Sequence, residues 1–332
     1  MSIAGKEALL LRFFNVGDGD SALLEITGPT PFFMLVDAGS SQREALAGGR
    51  SSAECLKALG VDHLDAVWIT HLHLDHLGGL REIAERMPIG RVYSGYFPPE
   101  DAHTIPQEPE AEKTVRGLID CLNAWQDTVN SLRRQGCPLV EIGASGPMPA
   151  YAGLNIFCIA PDPLGLERQK RAWDGMFRGK AVPDEEKAAV SRLRNPASLI
   201  LRVMYAGRAA VLGADVYGAL WSGWENPPCD VLKVPHHGDC KAMTRALADS
   251  LRPSHAVISC GAEYIPRKDR PCRETADMLR MSGARVWYTG AYAGDPLSPA
   301  RHEPWIAFQI EKNGRLTGPL TEACMENLEG CG

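Results

Sequence analysis

Seven consecutive residues, Thr70-His71-Leu72-His73-Leu74-Asp75-His76, restrict what this chain can become more than any other stretch. The chain has 9 His, and three of them fall here. Just ahead lies the run LDAVWIT (64–70), short and nearly all apolar, the pattern of a strand buried between helix layers. At the end of such a strand, alternating His71 and His73 point to one side and can meet one cation. Asp75 and His76 then turn the corner and can face a second cation. Gly78-Gly79 gives the backbone freedom to enter the helix expected over 80–86. Neutral imidazole suits Zn, Fe or Mn ions, and a shared carboxylate keeps two of them close. A chance cluster of surface histidines at a strand end is the plain structural alternative.

Around this point the chain reads as α/β. Strands are expected over 9–14 and 21–27, joined by Val-Gly-Asp-Gly-Asp, and over 32–36, ending at Asp37-Ala-Gly. A helix is expected over 45–59, stopped by Gly60. The texture changes at 98–109, a Pro- and acid-rich loop, before a long amphipathic helix over 112–135 with Leu118, Leu122, Trp125, Val129 and Leu132 on one face. Residues 161–195 hold Pro and mixed charges. The segments near 98–137 and 161–195 read as insertions on one domain spanning 1–332. Strand texture returns at 198–205, 209–212, 231–234, 256–259 and 285–288, with helices expected over 244–251 and 274–281.

Composition excludes several classes. With 45% hydrophobic and 23% charged residues, long disorder, collagen and coiled coil do not fit. Lys+Arg 35 against Asp+Glu 41 gives −6, which excludes a sequence-independent nucleic-acid coat but not an enzyme that meets a polyanion at a metal centre. The 10 Cys form no CxxC, so neither a zinc ribbon nor a disulfide scaffold is expected. No signal-peptide pattern or membrane-length apolar segment is read, and a soluble, cytoplasmic protein is the expectation.

The motif resembles the HxHxDH signature of the metallo-β-lactamase fold, in which the first two His bind one metal and the Asp-His pair the other. The resemblance implies an αββα sandwich of two mixed sheets flanked by helices. It extends to Phe33-Met34-Leu35-Val36-Asp37-Ala-Gly, where Asp37 would orient a ligand His, and to Leu212-Gly213-Ala214-Asp215, where Asp215 would bridge the metals. Val231-Leu-Lys-Val-Pro-His236-His237-Gly238, Phe14-Asn-Val-Gly-Asp-Gly-Asp20 and Asn195-Pro-Ala-Ser198 narrow it to one branch. That branch includes the hydrolase domain of ComEC-type DNA-uptake proteins and the phosphorylcholine esterases. Four departures stand out. No His occurs in Phe157-Cys-Ile-Ala160-Pro-Asp162, where many members have a further ligand, so Asp162 or water would serve there. Arg270-Pro271 replaces His-Pro, and Asp239 replaces the Ser after His-His-Gly. The membrane channel of the uptake proteins is missing, so a free-standing hydrolase is expected.

The resemblance implies metal-assisted hydrolysis by two divalent cations, Zn first and Mn second, about 3.5–4 Å apart with a metal-bound hydroxide between them. His71, His73 and Asp215 would hold one ion; Asp75, His76, Asp215 and His237 the other. If their backbone is extended, His236 and His237 point to different sides. His237 is assigned to metal and His236, with Asp75, to catalysis, His236 protonating the leaving group or holding the transition state; the reverse assignment of the two His stays open. Asn195, Ser198, Lys233 and Arg270 are candidate substrate contacts. Lys170, Arg171, Arg178 and Lys180, with Trp173 and Phe177 among them, could hold a phosphate backbone and stack a base. Gly17-Asp18-Gly19-Asp20 reads better as a hairpin turn than as a phosphate loop. The leading function is a phosphodiesterase or nuclease acting on nucleic acid. A small phosphodiester, of the choline phosphate or cyclic nucleotide type, is the second reading. A non-catalytic metal scaffold binding a protein partner through the 112–135 helix is the third.

Overall fold

A computed structural model describes residues 7–42, 49–221, 225–261, 270–290, 292, 295 and 303–324. β1 (Ala8–Phe14), β2 (Ala22–Ile26) and β3 (Phe32–Val36) form an antiparallel meander, buried along its length. α1 (Ser52–Ala58) leads to β4 (Ala66–Ile69), parallel to β3. α2 (Leu74–Leu77) and α3 (Leu80–Arg86) precede β5 (Val92–Ser94), and α4 (Lys113–Arg134) precedes β6 (Leu139–Glu141), each adding in parallel.

The chain then builds a second sheet. β7 (Gly146–Pro147) and β8 (Asn155–Ile159) are followed by α5 (Pro163–Phe177) and α6 (Asp184–Arg192). β9 (Ile200–Tyr205), β10 (Arg208–Leu212), β11 (Val231–Lys233), α7 (Arg245–Leu251), β12 (His255–Ile258), α8 (Arg273–Met281) and β13 (Arg285–Tyr288) complete it. β14 (Trp305–Glu311) and β15 (Leu316–Thr321) return to the first sheet beside β1. The strand orders are β15-β14-β1-β2-β3-β4-β5-β6 and β13-β12-β11-β10-β9-β8-β7. Both sheets are therefore mixed, and the parallel pairs are linked by crossovers that carry helices onto the outer faces.

Alternation along the strands separates the layers. Leu24, Met34 and Trp68 point inward and meet Leu201, Leu212 and Val257 of the second sheet. Their neighbours Leu23, Leu35 and Val67 point outward, into a cluster with Leu56, Ile83 and Trp125 from α1, α3 and α4. On the far side Val211, Leu232 and Ile258 pack with Leu247 and Leu279 of α7 and α8. The result is helix, sheet, sheet, helix, as the resemblance implied.

Leu118, Leu122, Trp125, Val129 and Leu132 of α4 recur at helical spacing and are all buried. Each large side chain contributes about 1.5–3 kcal/mol on burial, so the apolar face of the 112–135 helix is taken up by the protein's own core. The helix expected over 45–59 begins later, at Ser52, because Ser51 and Glu54 form a capping box; residues 43–48 lie outside the described residues. Six strands had not been expected: β5, β6, β7, β8, β14 and β15. Among the described residues no helix is long and apolar enough to cross a membrane.

Candidate metal centre

β4 ends at Ile69, so His71 and His73 lie on a bend beyond it, not on the strand itself. Asp37, at φ 58, explains the stop. Its carboxylate accepts from Thr70 N and Thr70 Oγ1, both at 2.8 Å, and lies 2.7 Å from His76 Nδ1. The bend brings His71 Nε2 to 2.8 Å from His73 Nδ1. His73 then precedes α2, whose residues include Asp75 and His76. Two glycines permit the packing. A Cβ on Gly79 would stand 2.2 Å from Ala38 O, and one on Gly19 would stand 2.6 Å from Asp75 O.

The second sheet supplies the facing groups. Asp215 follows β10, with Oδ2 3.6 Å from His71 Nε2 and Oδ1 3.4 Å from His76 Nε2. His236 and His237 follow β11 with φ of 46 and 52, so the extended backbone expected there is replaced by a left-handed turn. Their rings still diverge, with centroids 6.2 Å apart. His237 Nε2 lies 3.5 Å from Asp75 Oδ2 and 3.8 Å from Asp215 Oδ1. His236 Nε2 lies 3.8 Å from Asp215 Oδ2 and 3.2 Å from Asn195 Nδ2.

Three atoms test whether these residues suit a cation. Among the described residues, His76 Nε2, Asp215 Oδ1 and His237 Nε2 are buried without a hydrogen-bond partner. Buried polar atoms are rarely left so, and these converge. Ligand atoms of His71, His76 and Asp215 lie within 4.8 Å of one another, as do those of Asp75, His76 and His237. Imidazole nitrogen and carboxylate oxygen at such spacing suit divalent ions. Protonation agrees. Burial holds His71 well below its ordinary value and His73 at about 3, so both imidazoles are neutral, the form that binds metal. Against burial, contact with His237 and the charge of His76 hold Asp75 ionised, and the charges of His76 and His237 do so for Asp215. Also against burial, Asp215 and Asp37 raise His76, and Asp20 and Asp215 raise His237.

Other expected site residues divide. Arg270 reaches the site, with Nη2 3.9 Å from Asp75 Oδ2, and Asn195 touches His236. Ser198 does not line an open pocket. It is fully buried, donates to Asn195 O at 2.7 Å and accepts from Asp215 N at 3.3 Å, so it sets the Asp215 loop. Lys233 is also inside, donating to Asp20 Oδ2 at 2.6 Å and Val234 O at 2.9 Å. Asp162 turns away to cap α5, accepting from Gly165 N at 2.8 Å. Trp173 and Phe177 are 2% and 0% exposed, which removes them as base-stacking surfaces. Lys170 pairs with Glu141, and Arg178 with Asp101. Burial pushes His236 below its ordinary value, which disfavours a standing proton donor and favours the holding role.

Sequence reasoning missed Asp20, Thr70, Arg194 and Tyr217. Asp20 Oδ1 lies 3.3 Å from His237 Nδ1, so Lys233 and Asp20 together orient that ring. The Tyr217 ring stands edge-on to His236 at 5.3 Å. Two of them carried a signal: Asp20, in the stretch that resembled the ComEC-type branch, and Thr70, at the head of the histidine motif.

Residues 17–143 match the Metallo-beta-lactamase superfamily. Over 293 residues, 83% of this chain, the sequence is 22% identical to ComE operon protein 3 of Bacillus subtilis (strain 168), and the chain spans 31% of that protein's length. Solved structures similar to this one include the metallo-beta-lactamase fold protein YhfI of Bacillus subtilis, at TM-score 0.43 and 10% identity, covering 85% of this chain and 96% of that one. Human tRNase Z, short form, is similar at TM-score 0.38 and 11% identity, covering 94% and 99%. Likeness at that level bears on no detail of chemistry. The match over residues 17–143 and the two flanked sheets give this chain the metallo-β-lactamase fold, and a ComEC-type protein is among the sequences it is similar to.

Proposed function

We propose that this protein is a metal-dependent phosphodiesterase that cleaves nucleic acid, holding two divalent cations, Zn or Mn, between its sheet ends. The observation that carries the metal reading is the convergence of three buried atoms without a hydrogen-bond partner, His76 Nε2, Asp215 Oδ1 and His237 Nε2. His71, His73 and Asp215 are assigned to one cation, and Asp75, His76, Asp215 and His237 to the other. Bound there, divalent cations supply Lewis acidity toward a phosphoryl oxygen and lower the pKa of water.

The chain's own groups do the rest. Asp37 fixes the His76 ring through Nδ1, and Asp20 does the same for His237. Asn195 Nδ2 donates to His236 Nε2 and steadies that ring, so the neutral imidazole carries its proton on Nδ1, which would hold an oxygen that gains charge as the ester breaks. Arg270 places a positive charge beside Asp75, where an anionic phosphodiester would approach.

Nucleic acid as substrate rests on the resemblance to ComEC-type hydrolase domains, which the similarity to ComE operon protein 3 supports. One observation favours the second reading, a small phosphodiester. Trp173 and Phe177, which would stack bases, are buried, and Lys170 and Arg178, which would grip a backbone, are paired with acids. The test is cleavage of single- and double-stranded DNA, RNA and a small chromogenic diester by protein loaded with Mn²⁺ or Zn²⁺. Metal-dependent polymer cleavage, lost in a His73→Ala, Asp75→Ala double variant, is the expected result. Cleavage of the small diester alone would contradict the polymer reading, and no cleavage of either would contradict the phosphodiesterase.

A further inference from the structure

We propose that Arg194 is a positioning residue that fixes the His71 and His73 side of the site, an inference that rests on the two-cation reading. Arg194 lies in the turn after α6 and is buried, with no carboxylate in ion-pair distance among the described residues. Its guanidinium spends its donors elsewhere. Nη1 donates to Leu72 O and to Cys121 Sγ, each at 3.2 Å. Nε donates to Ser191 O at 3.1 Å and Nη2 to Ser191 Oγ at 3.2 Å. Leu72 stands between the two imidazoles, Cys121 lies on α4, and Ser191 lies on α6.

The bend that carries both rings has no regular structure to satisfy its backbone. Thr70 O accepts from Leu199 N at 2.9 Å, and Leu72 O accepts from Arg194. A buried carbonyl needs such a donor. A planar guanidinium with five donors can join three segments at once, which an ammonium cannot do with the same directions. This fastening matters more on this side of the site because nothing from 157–162 braces it; Asp162 caps α5 instead. Ser191 Oγ also donates to Thr114 O at 2.9 Å, so α6, α4 and the metal-facing bend form one connected unit. The two segments that looked like additions in the sequence thereby become part of the metal centre's support.

The test is metal binding, followed by titration calorimetry of the metal-free full chain with Zn²⁺ and then Mn²⁺. His73→Ala and His237→Ala supply reference isotherms for loss of either cation. The wild-type chain is expected to take up two ions. Arg194→Met should weaken one of them about tenfold or more, toward the His73→Ala isotherm, leaving the His237-dependent ion unchanged. Arg194→Lys should weaken the same ion by less. Wild-type binding of both ions in Arg194→Met, or equal weakening of both, would overturn the inference alone. Should Arg194→Met fail to fold, Arg194→Lys decides on the same criterion, an unchanged isotherm overturning it. Fewer than two ions in the wild type would overturn the two-cation reading, and this inference with it.

Discussion

The first sheet supplies its share of the site from one stretch, 70–76, with Asp37 beneath it, whereas the second supplies Asp215, His236 and His237 from two loops and Arg270 from a third. The two sides are also held differently. On the first, bonds to the neighbouring strand end predominate: Thr70 and His76 share the Asp37 carboxylate, and Ala38 N donates to His76 O at 2.6 Å, with Leu199 N and Arg194 fastening the bend at Thr70 O and Leu72 O. On the second, Ala214, His236 and His237 all have positive φ, a conformation costing about 1–2 kcal/mol per non-glycine residue. That side is steadied from across the molecule. Asp20, from the β1–β2 connection, accepts from Lys233 and approaches His237. A contiguous motif takes most of its support from its own sheet, with a few distant fastenings, while a dispersed one borrows it from the opposite sheet.

The comparison can be broken most severely at Asp215, which faces both sides. Asp215→Ala should leave the purified protein with almost no metal and lower hydrolysis at least about a thousandfold. Full metal content by elemental analysis would contradict its shared position. Asp20→Asn comes next. It should weaken the His237-dependent cation about 10- to 100-fold in titration while sparing the His71 and His73 side; equal loss on both sides would erase the distinction. Gly79→Ala probes the first side by sterics, since its Cβ would meet Ala38 O at 2.2 Å. Destabilisation of about 1–3 kcal/mol is expected in urea unfolding, and an unchanged midpoint would show the bend to be loosely packed.

The smallest effect is a control away from the cations. His255 Nδ1 accepts from Trp287 Nε1 at 3.2 Å, and burial pushes its pKa below the ordinary 6.5. The unfolded chain therefore binds that proton first, so stability falls as pH drops below 6.5 and levels off beneath the folded-state pKa. Between pH 7 and pH 5 the melting temperature of His255→Gln should fall less than that of the wild type, by about 1–2 °C. An equal fall in both would show that this ring takes up its proton without cost.

The contrast between the sides also explains what could be read from sequence. His71, His73, Asp75 and His76 were legible because spacing within a few residues determines their arrangement, and Asp37 through the strand ending in Asp37-Ala-Gly that carries the resemblance. The bracing was not. Lys233 meets Asp20 across 213 positions and Arg194 meets Leu72 across 122, and no local pattern encodes such pairs. Nor does any composition signal tell that His236 and His237 adopt the left-handed region, which non-glycine residues seldom enter. Among the strands, β15 hid behind Gly318 and Pro319, residues unusual in a strand. β14, with Trp305-Ile-Ala-Phe308, had a plain apolar run, but its place beside β1 is set by pairing across nearly the whole chain.

The proposed function requires residues from both sheet ends to enclose two cations around Asp215. Anomalous diffraction from crystals of the full chain grown with Mn²⁺, collected at the manganese edge, addresses it directly. Two peaks are expected flanking the Asp215 carboxylate, one beside His71 and His73 and the other beside Asp75, His76 and His237. An absence of peaks there, or a single peak that does not touch Asp215, would contradict it.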